Sequence, residues 1–412
     1  MNPATAGGGN AVAITGLGLV TPAGIGVERS WERVHAGLPA ADTDPVLAGH
    51  PVRISCRVPG FDAEELLGGR AARRFDPFVQ FAVVAAREAV ADAGLDPLDW
   101  DGARVGVVLG CADGGPGTVE TQHDVLRGGG PDRVSALLLP MQLPNMLAGQ
   151  LSIEFGATGP SLVVATACAS GSTALGAAAD LLRLGRCDVV LTGGSEAMVT
   201  PLVMAGFARM GAMSRRNDDP KGASRPFDAG RDGFVAGEGA GLLVLERERD
   251  ARARGARIRS LILGHGQSAD AHHVTAPDPR GRGLEQAIRA ALTDAAVGPD
   301  EVDHVNAHGT STQANDLVEA QVLRRVLGPR PVVTSTKGVT GHLFGAAGAV
   351  EAVFTALTLE QGLIPPTANL ANPDPRIDLD LASVATPSGP RVALSTSAGF
   401  GGQNAALVLA KA

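Results

Sequence analysis

Cys168 stands where an apolar, β-branched run gives way to small residues and then to an Ala/Leu-rich helix, in VVATACASGSTALGAAADLL (163–182). A strand–helix junction offers free backbone N–H groups and the positive end of a helix dipole, a setting that favours a thiolate. Ala167, Ala169, Ser170 and Gly171 leave room for a tight turn and for a ligand to come close. The logic is that of a nucleophile elbow with sulfur in place of oxygen, the Cys168 N–H facing the oxygen of a bound acyl group. Cys56, Cys111 and Cys187 lack this frame and read as inert core residues.

Such a nucleophile needs partners. VNAHGTSTQAND places His308 just past a strand end, and STKGVTGHLFGAAG places Lys337 and His342 five residues apart across a Gly-rich turn. The carboxyl ends of strands are where α/β proteins build sites, so both imidazoles are expected to face the thiol. Thr310 and Thr312 of HGTST supply hydroxyls that orient an imidazole or line a substrate pocket. His35, His50, His123, His265, His272, His273 and His304 lack the strand-end setting and read as surface or loop residues. In SAGFGGQNAALVL, Gly399, Gly401 and Gly402 flank Phe400, whose N–H is a candidate second oxyanion donor and whose ring is a candidate gate.

The elements that must hold these residues alternate. AVAITGLGLV, ARVGVVLG, SLVVATAC, CDVVLTGG and GAGLLVLE read as short buried strands, with helices such as FVQFAVVAAREAVADAGL between them. A second series follows, from RSLILGHGQS through VDHVNAHG, PVVTSTKG and GAAGAVEAVFTALTLEQG to RVALSTSAGFGGQNAALVLAK. The pattern predicts an α/β fold in two halves of similar plan, 1–257 with the cysteine and 258–412 with the two histidines. The Gly-rich first residues read as a loose tail. The polar, Gly/Pro-rich loop Met213–Gly241 is long enough to be functional or tied down by its neighbours.

Composition narrows the function further. A formal net charge of −8 and the absence of tyrosine argue against nucleic acid as the main partner. No apolar run reaches membrane-span length, and the start lacks a signal-peptide pattern. Four scattered cysteines have neither disulfide-framework nor zinc spacing, so a reducing cytoplasm is the expected compartment. One basic cluster, GGRAARRF with Arg70, Arg73 and Arg74, is either a solvated helix start or a dock for something acidic.

On TACASG, NAHGTST, STKGVTGHLFGAAGAVEA, SRPFDAGRDGFVAGEGAG and GFGG, nearly end to end, the chain resembles the β-ketoacyl synthase family. These are thiolase-fold condensing enzymes of fatty acid and polyketide synthesis. The resemblance implies a duplicated αβαβα layered fold with mixed, largely parallel sheets. It implies Cys168 as acyl acceptor, His308 and His342 on the extender unit, Lys337 placing charge around them, and Glu351 as a buried organising acid. It implies no metal or organic cofactor, acyl groups arriving on the phosphopantetheine of an acyl carrier protein, and a homodimer or a heterodimer with a chain-length-factor paralogue. The strand before Cys168 would pair with the same strand of the partner, and LPMQLPNMLAGQLSIEFG would run along that interface and line the pocket. Two histidines, rather than His with Asn or His with a second Cys, point to decarboxylative elongation.

Three departures from the fatty-acid pattern stand out. Thr396 and Ala398 replace Asn and Phe in the C-terminal motif. Asp113 stands where a bulky apolar residue usually lines the acyl pocket: either it points away or caps a turn in its DGG context, or it faces the chain, and an unpaired carboxylate against a saturated chain is unfavourable. Asp132 replaces a basic docking residue, while Arg133 and the Arg70–Arg73–Arg74 cluster remain to meet an acidic carrier. These departures favour the catalytic ketosynthase subunit of a bacterial type II polyketide synthase, with a β-ketoacyl-acyl carrier protein synthase II of fatty acid synthesis as the alternative. A non-catalytic chain-length-factor-like partner is more remote, because Cys168, His308, Lys337 and His342 are all intact.

Overall fold

The computed structural model of the chain describes residues 11–412. The Gly-rich start read as a tail lies outside the described residues. Ten strands build the frame: β1 (Val12–Thr21), β2 (Val105–Gly110), β3 (Ser161–Val164), β4 (Val189–Glu196), β5 (Gly239–Arg247), β6 (Ser260–Ala269), β7 (His304–Asn306), β8 (Val332–Thr334), β9 (Val392–Gly399) and β10 (Gln403–Ala410). Seven helices cover them: α1 (Pro77–Asp92), α2 (Met146–Phe155), α3 (Ser170–Arg183), α4 (Pro201–Met210), α5 (Arg282–Ala295), α6 (Gln313–Leu327) and α7 (Ala347–Gln361).

Strand order across the molecule is 3-2-4-5-1, then 6-10-9-7-8. Each half therefore has the same plan, the second strand of the half flanked by its third and fourth. The sheet is mixed. β2 runs parallel to β3 and β4, and β7 parallel to β8 and β9. The inner pairs are antiparallel, as is the seam where Val12–Ile14 of β1 meets Ser260–Ile262 of β6. The short connection Phe400–Gly402 between β9 and β10 permits only an antiparallel pair.

Helices α3 and α7 share the central core with residues from both half-sheets, while α1 and α2 cover the outside of the first half and α5 and α6 the outside of the second. Residues Ala347–Leu359 of α7 are all buried, as expected of a helix apolar all round. The two central helices approach at backbone distance. A Cβ on Gly171 would lie 2.6 Å from the Ala349 nitrogen, and one on Gly348 would lie 2.2 Å from Ser172 Oγ.

Two histidines depart from the surface reading. His304 is fully buried in β7, its Nδ1–H donating to the Val332 carbonyl at 2.9 Å, and burial lowers it to about 4. His265 is half-buried within β6, with Nε2 3.0 Å from Asp180 Oδ1. Both lie in strands whose pairing is visible only in three dimensions. Cys56, Cys111 and Cys187 are buried free thiols, as expected. No described helix is long and apolar enough to cross a membrane.

Gly171→Ala is expected to destabilise the fold by about 1–3 kcal/mol, because the added methyl meets backbone that cannot step aside. Denaturant unfolding measures this directly, and an unchanged midpoint would show slack between the central helices.

Candidate active site

The turn that carries Cys168 is built from local bonds. Ala167 takes a left-handed φ of 49° and opens a 3-10 turn, Ala167–Ala169, that runs into α3. Ser170 Oγ accepts from the Thr166 N–H at 2.9 Å and donates to the Ala167 carbonyl at 2.6 Å. The backbone N–H groups of Phe400 and of Cys168 itself both bond to the Cys168 sulfur. Gly399 makes room for this: a Cβ there would sit 2.6 Å from the Thr166 oxygen and 3.0 Å from the Cys168 nitrogen.

Cys168 Sγ lies 3.0 Å from His342 Nε2. Burial pushes the thiol up to about 12; the Lys337 charge and the two N–H groups lower it without offsetting the burial, and Glu196 opposes them. At neutral pH the resting group is therefore the thiol. The N–H groups at the strand–helix junction favour the thiolate, as expected, while loss of hydration opposes it. The imidazole beside the thiol is neutral too. Burial, then the Lys337 charge, drives His342 well below its ordinary value. Phe234 packs edge-on against the His342 ring at 5.6 Å, and Phe344 lies 5.1 Å away on a tilted plane. A neutral imidazole can accept the sulfur proton, and an imidazolium cannot.

His342 is held by the long central loop. Its N–H donates to the Val235 carbonyl at 2.8 Å, and its carbonyl accepts from the Gly237 N–H at 2.9 Å. Lys337 is buried and ion-paired with Glu351 of α7. Glu351 is in turn raised to about 7 by burial, against the pull of Lys337.

The second imidazole, His308, faces the first edge-on with ring centroids 5.4 Å apart. Burial, then Lys337 and His342, hold it far below its usual range. A residue not read from the sequence fixes its backbone. Glu319, buried in α6, accepts from the N–H of His308 and of Gly309, both at 2.8 Å, and from Thr396 Oγ1 at 2.7 Å. The departure Thr396 thus has a structural job, its hydroxyl bridging Glu319 and the His308 N–H. The i,i+3 spacing of Asp316 and Glu319 on a face shared with Ala320 and Leu323 was the available signal. Asp316 meets the fully buried Arg231, which also pairs with Asp374 at 2.8 Å and donates to the carbonyls of Thr312 and Gln313. That network ties down the central loop.

A cavity of 540 Å³ opens onto these groups. Cys168, His308 and His342 line it together with apolar Ala112, Met198, Phe207, Phe344 and Ala398 and with polar Thr310, Thr312, Asp270, Thr275, Gln313 and Asn315; Phe400 also stands on the wall. Asp113 does not line the cavity. Its side chain is exposed while its N–H points at buried Glu196, so the turn places Ala112 rather than Asp113 on the wall. The segment 139–156 does not line it either. Arg70, Arg73, Arg74 and Arg133 are solvent-exposed, Arg73 3.7 Å from Glu64. Among the described residues no cluster of His, Cys, Asp or Glu is placed to hold a metal ion.

The family model for the β-ketoacyl synthase N-terminal domain matches residues 9–251, and that for the C-terminal domain matches 259–371. The chain belongs to the β-ketoacyl synthase family. It is 43% identical over 406 residues to a 3-oxoacyl-[acyl-carrier-protein] synthase 2 of Staphylococcus aureus (strain N315), covering 97% of this chain and 98% of the relative. The same identity holds over 412 residues against the 3-oxoacyl-[acyl-carrier-protein] synthase 2 of Synechocystis sp., covering 97% and 98%. Among solved structures, the ishigamide ketosynthase/chain length factor superposes with a TM-score of 0.92 at 35% identity, covering 98% of this chain and 99% of that one. A type II PKS acyl-carrier protein in complex with its ketosynthase bound to the hexaketide matches with a TM-score of 0.90 at 32% identity, covering 98% and 100%. The β-ketoacyl synthase is thus an acyltransferase of the elongating ketosynthase kind.

Because only the thiolate reacts with iodoacetamide, alkylation of Cys168 is expected to rise about tenfold per pH unit from pH 7 to 9 without a plateau. Mass-resolved alkylation rates test this; a plateau below pH 8 would mean the thiolate is already formed at rest. Lys337→Ala strands the Glu351 carboxyl and is expected to cost about 3–5 kcal/mol in denaturant unfolding.

Proposed function

We propose that the protein extends an acyl chain held on Cys168 by two carbons, taking both acyl donor and malonyl extender from acyl carrier protein, in the manner of a 3-oxoacyl-[acyl-carrier-protein] synthase 2. The observation that carries this is the thiol 3.0 Å from His342 Nε2 with the His308 ring edge-on to that imidazole, all three on the wall of one cavity.

The thiol proton passes to His342 Nε2 as sulfur attacks the thioester carbonyl. The oxyanion is held by the N–H groups of Cys168 and Phe400, and the carrier thiol leaves with a proton. Malonyl thioester then enters. Carbon dioxide departs, and its bonding electrons flow into the thioester as an enolate. Two imidazole N–H donors stabilise that enolate, each worth about 3 kcal/mol. The enolate carbon attacks acyl-Cys168, forming the new C–C bond as the C–S bond breaks, and the departing sulfur takes up a proton from solvent to restore the thiol. Thr310 and Thr312 on the cavity wall suit the amides and hydroxyls of a phosphopantetheine arm.

A polyketide substrate rested on Asp113 and Ala398. Asp113 is absent from the cavity wall, and the relatives at 43% identity carry the name 3-oxoacyl-[acyl-carrier-protein] synthase 2, the type of the alternative reading, so extension of a fatty acyl chain has more support. Ala398 on the wall still favours a bulkier or more polar chain, and keeps polyketide extension as the second reading. Strand β3 is the open edge of the sheet, with Leu162 exposed, and Leu139, Leu143 and Ile153 are exposed in the segment before it. That apolar edge supports pairing with a second copy or a chain-length-factor paralogue, the assembly named for the ishigamide relative. The exposed Arg70, Arg73, Arg74 and Arg133 supply charge for an acidic carrier.

With acyl-carrier and malonyl-carrier protein, the wild type is expected to yield a 3-oxoacyl product two carbons longer by mass spectrometry. Cys168→Ala should lower condensation by roughly 10³-fold or more while leaving the fold intact. Condensation surviving in that variant would end the assignment.

A further inference from the structure

Glu196, the last residue of β4, is fully buried and takes no part in the steps above. Its Oε2 accepts from the Ala112 N–H at 2.7 Å and from the Gly345 N–H at 3.2 Å. Its Oε1 lies 3.4 Å from the Asp113 nitrogen and 3.5 Å from Cys111 Sγ. None of these four partners is a cation, and burial pushes the carboxyl up to about 7. An acid kept dry at that cost must be doing something with the groups it holds.

What it holds are two turns that form apolar stretches of the cavity wall. Ala112 lies on one, just after β2. Phe344 lies on the other, immediately before Gly345, and both residues line the cavity with Cys168. Phe344 is a non-glycine residue at a φ of 48°, so its turn needs an outside restraint. Its ring stacks on Phe207 at 5.1 Å and abuts His342. No side chain fits at position 345: a Cβ would stand 2.4 Å from Glu196 Oε2 and 2.7 Å from the Ala112 nitrogen.

We propose that Glu196 is a positioning residue for acyl selection: by clamping the Ala112 turn to the Phe344 turn, it fixes the spacing of two apolar stretches of the cavity wall and so the length of acyl chain accepted at Cys168. This rests on the acyl-transfer reading above. Glu196 touches neither the thiol nor the imidazoles, and its charge acts on the Cys168 thiol alike for every acyl group, so the ratio between chain lengths isolates its effect on fit.

The test is kcat/KM for a series of saturated acyl-carrier proteins of increasing chain length, with malonyl-carrier protein held constant. Glu196→Ala is expected to change the ratio of long-chain to short-chain kcat/KM by about tenfold or more, the scale on which an apolar pocket senses methylenes. Glu196→Gln keeps one acceptor for the clamp and should shift the ratio less, in the same direction. Gly345→Ala, which presses on the clamp from the other side, should also shift it. If Glu196→Ala does not fold, Glu196→Gln decides. A ratio that stays within about twofold of wild type, even with every rate lowered, overturns the proposal and leaves Glu196 a stability residue. Wild type inert with every acyl-carrier protein would instead bring down the acyl-transfer reading, and this proposal with it.

Discussion

The active site depends on how closely two buried helices pack. α3 and α7 meet through Gly171, Gly348 and Ala349, with no space for another carbon. Each helix is entered in the same way, by a left-handed residue and a 3-10 turn: Ala167 at 49° before α3, Phe344 at 48° before α7. Because the helices touch, the two entry turns lie side by side. The first carries the sulfur. The second follows the segment 335–343, which carries Lys337 and His342 and has no equivalent between β3 and α3. A larger residue at the crossing would part the turns, and the 3.0 Å contact between thiol and imidazole would go with them.

The electrostatics follow from the same burial. Lys337 is the positive charge at the centre, and its pairing with Glu351 is what allows an acid to sit within the wholly buried stretch Ala347–Leu359 of α7. The cation's field, added to desolvation, keeps both imidazoles neutral. That state suits both halves of the reaction. With its hydrogen on Nδ1, neutral His342 can take the sulfur proton at Nε2; with the hydrogen on Nε2, the equally neutral ring presents an N–H donor to a carbonyl that gains charge. The thiol, at rest protonated, becomes nucleophilic only as its proton moves, which limits side reactions between substrates.

Residues that act by type and position were readable in the sequence. A cysteine at a strand–helix junction, histidines at strand ends and a phenylalanine among glycines all reached one cavity. Residues that act through partners distant in the chain were not. Glu319 reads as one more helical carboxylate until its bonds to His308, Gly309 and Thr396 are seen. Arg231 reads as part of a polar loop, and only the fold shows it fully buried between Asp316 and Asp374. Asp113 could be read either into or away from the pocket, and it points away. Its neighbour in sequence does line the cavity, but which of two adjacent turn residues faces inward was decided by where Glu196 fixed the backbone.

One plan used twice would be expected to make two sites, and the ends of β4 and β9 show why it makes one. β9 ends in Gly399, whose missing side chain lets the Phe400 N–H reach the sulfur. β4 ends in Glu196, whose carboxylate takes up the N–H of Gly345 at the mouth of α7. At the mouth of α3 the corresponding N–H, that of Cys168, meets only the reactive sulfur and can turn to a substrate oxygen. At the mouth of α7 the corresponding donor is already satisfied from within. The same backbone geometry thus yields an open anion site in one half and a filled one in the other, and the filled one becomes wall for the open one.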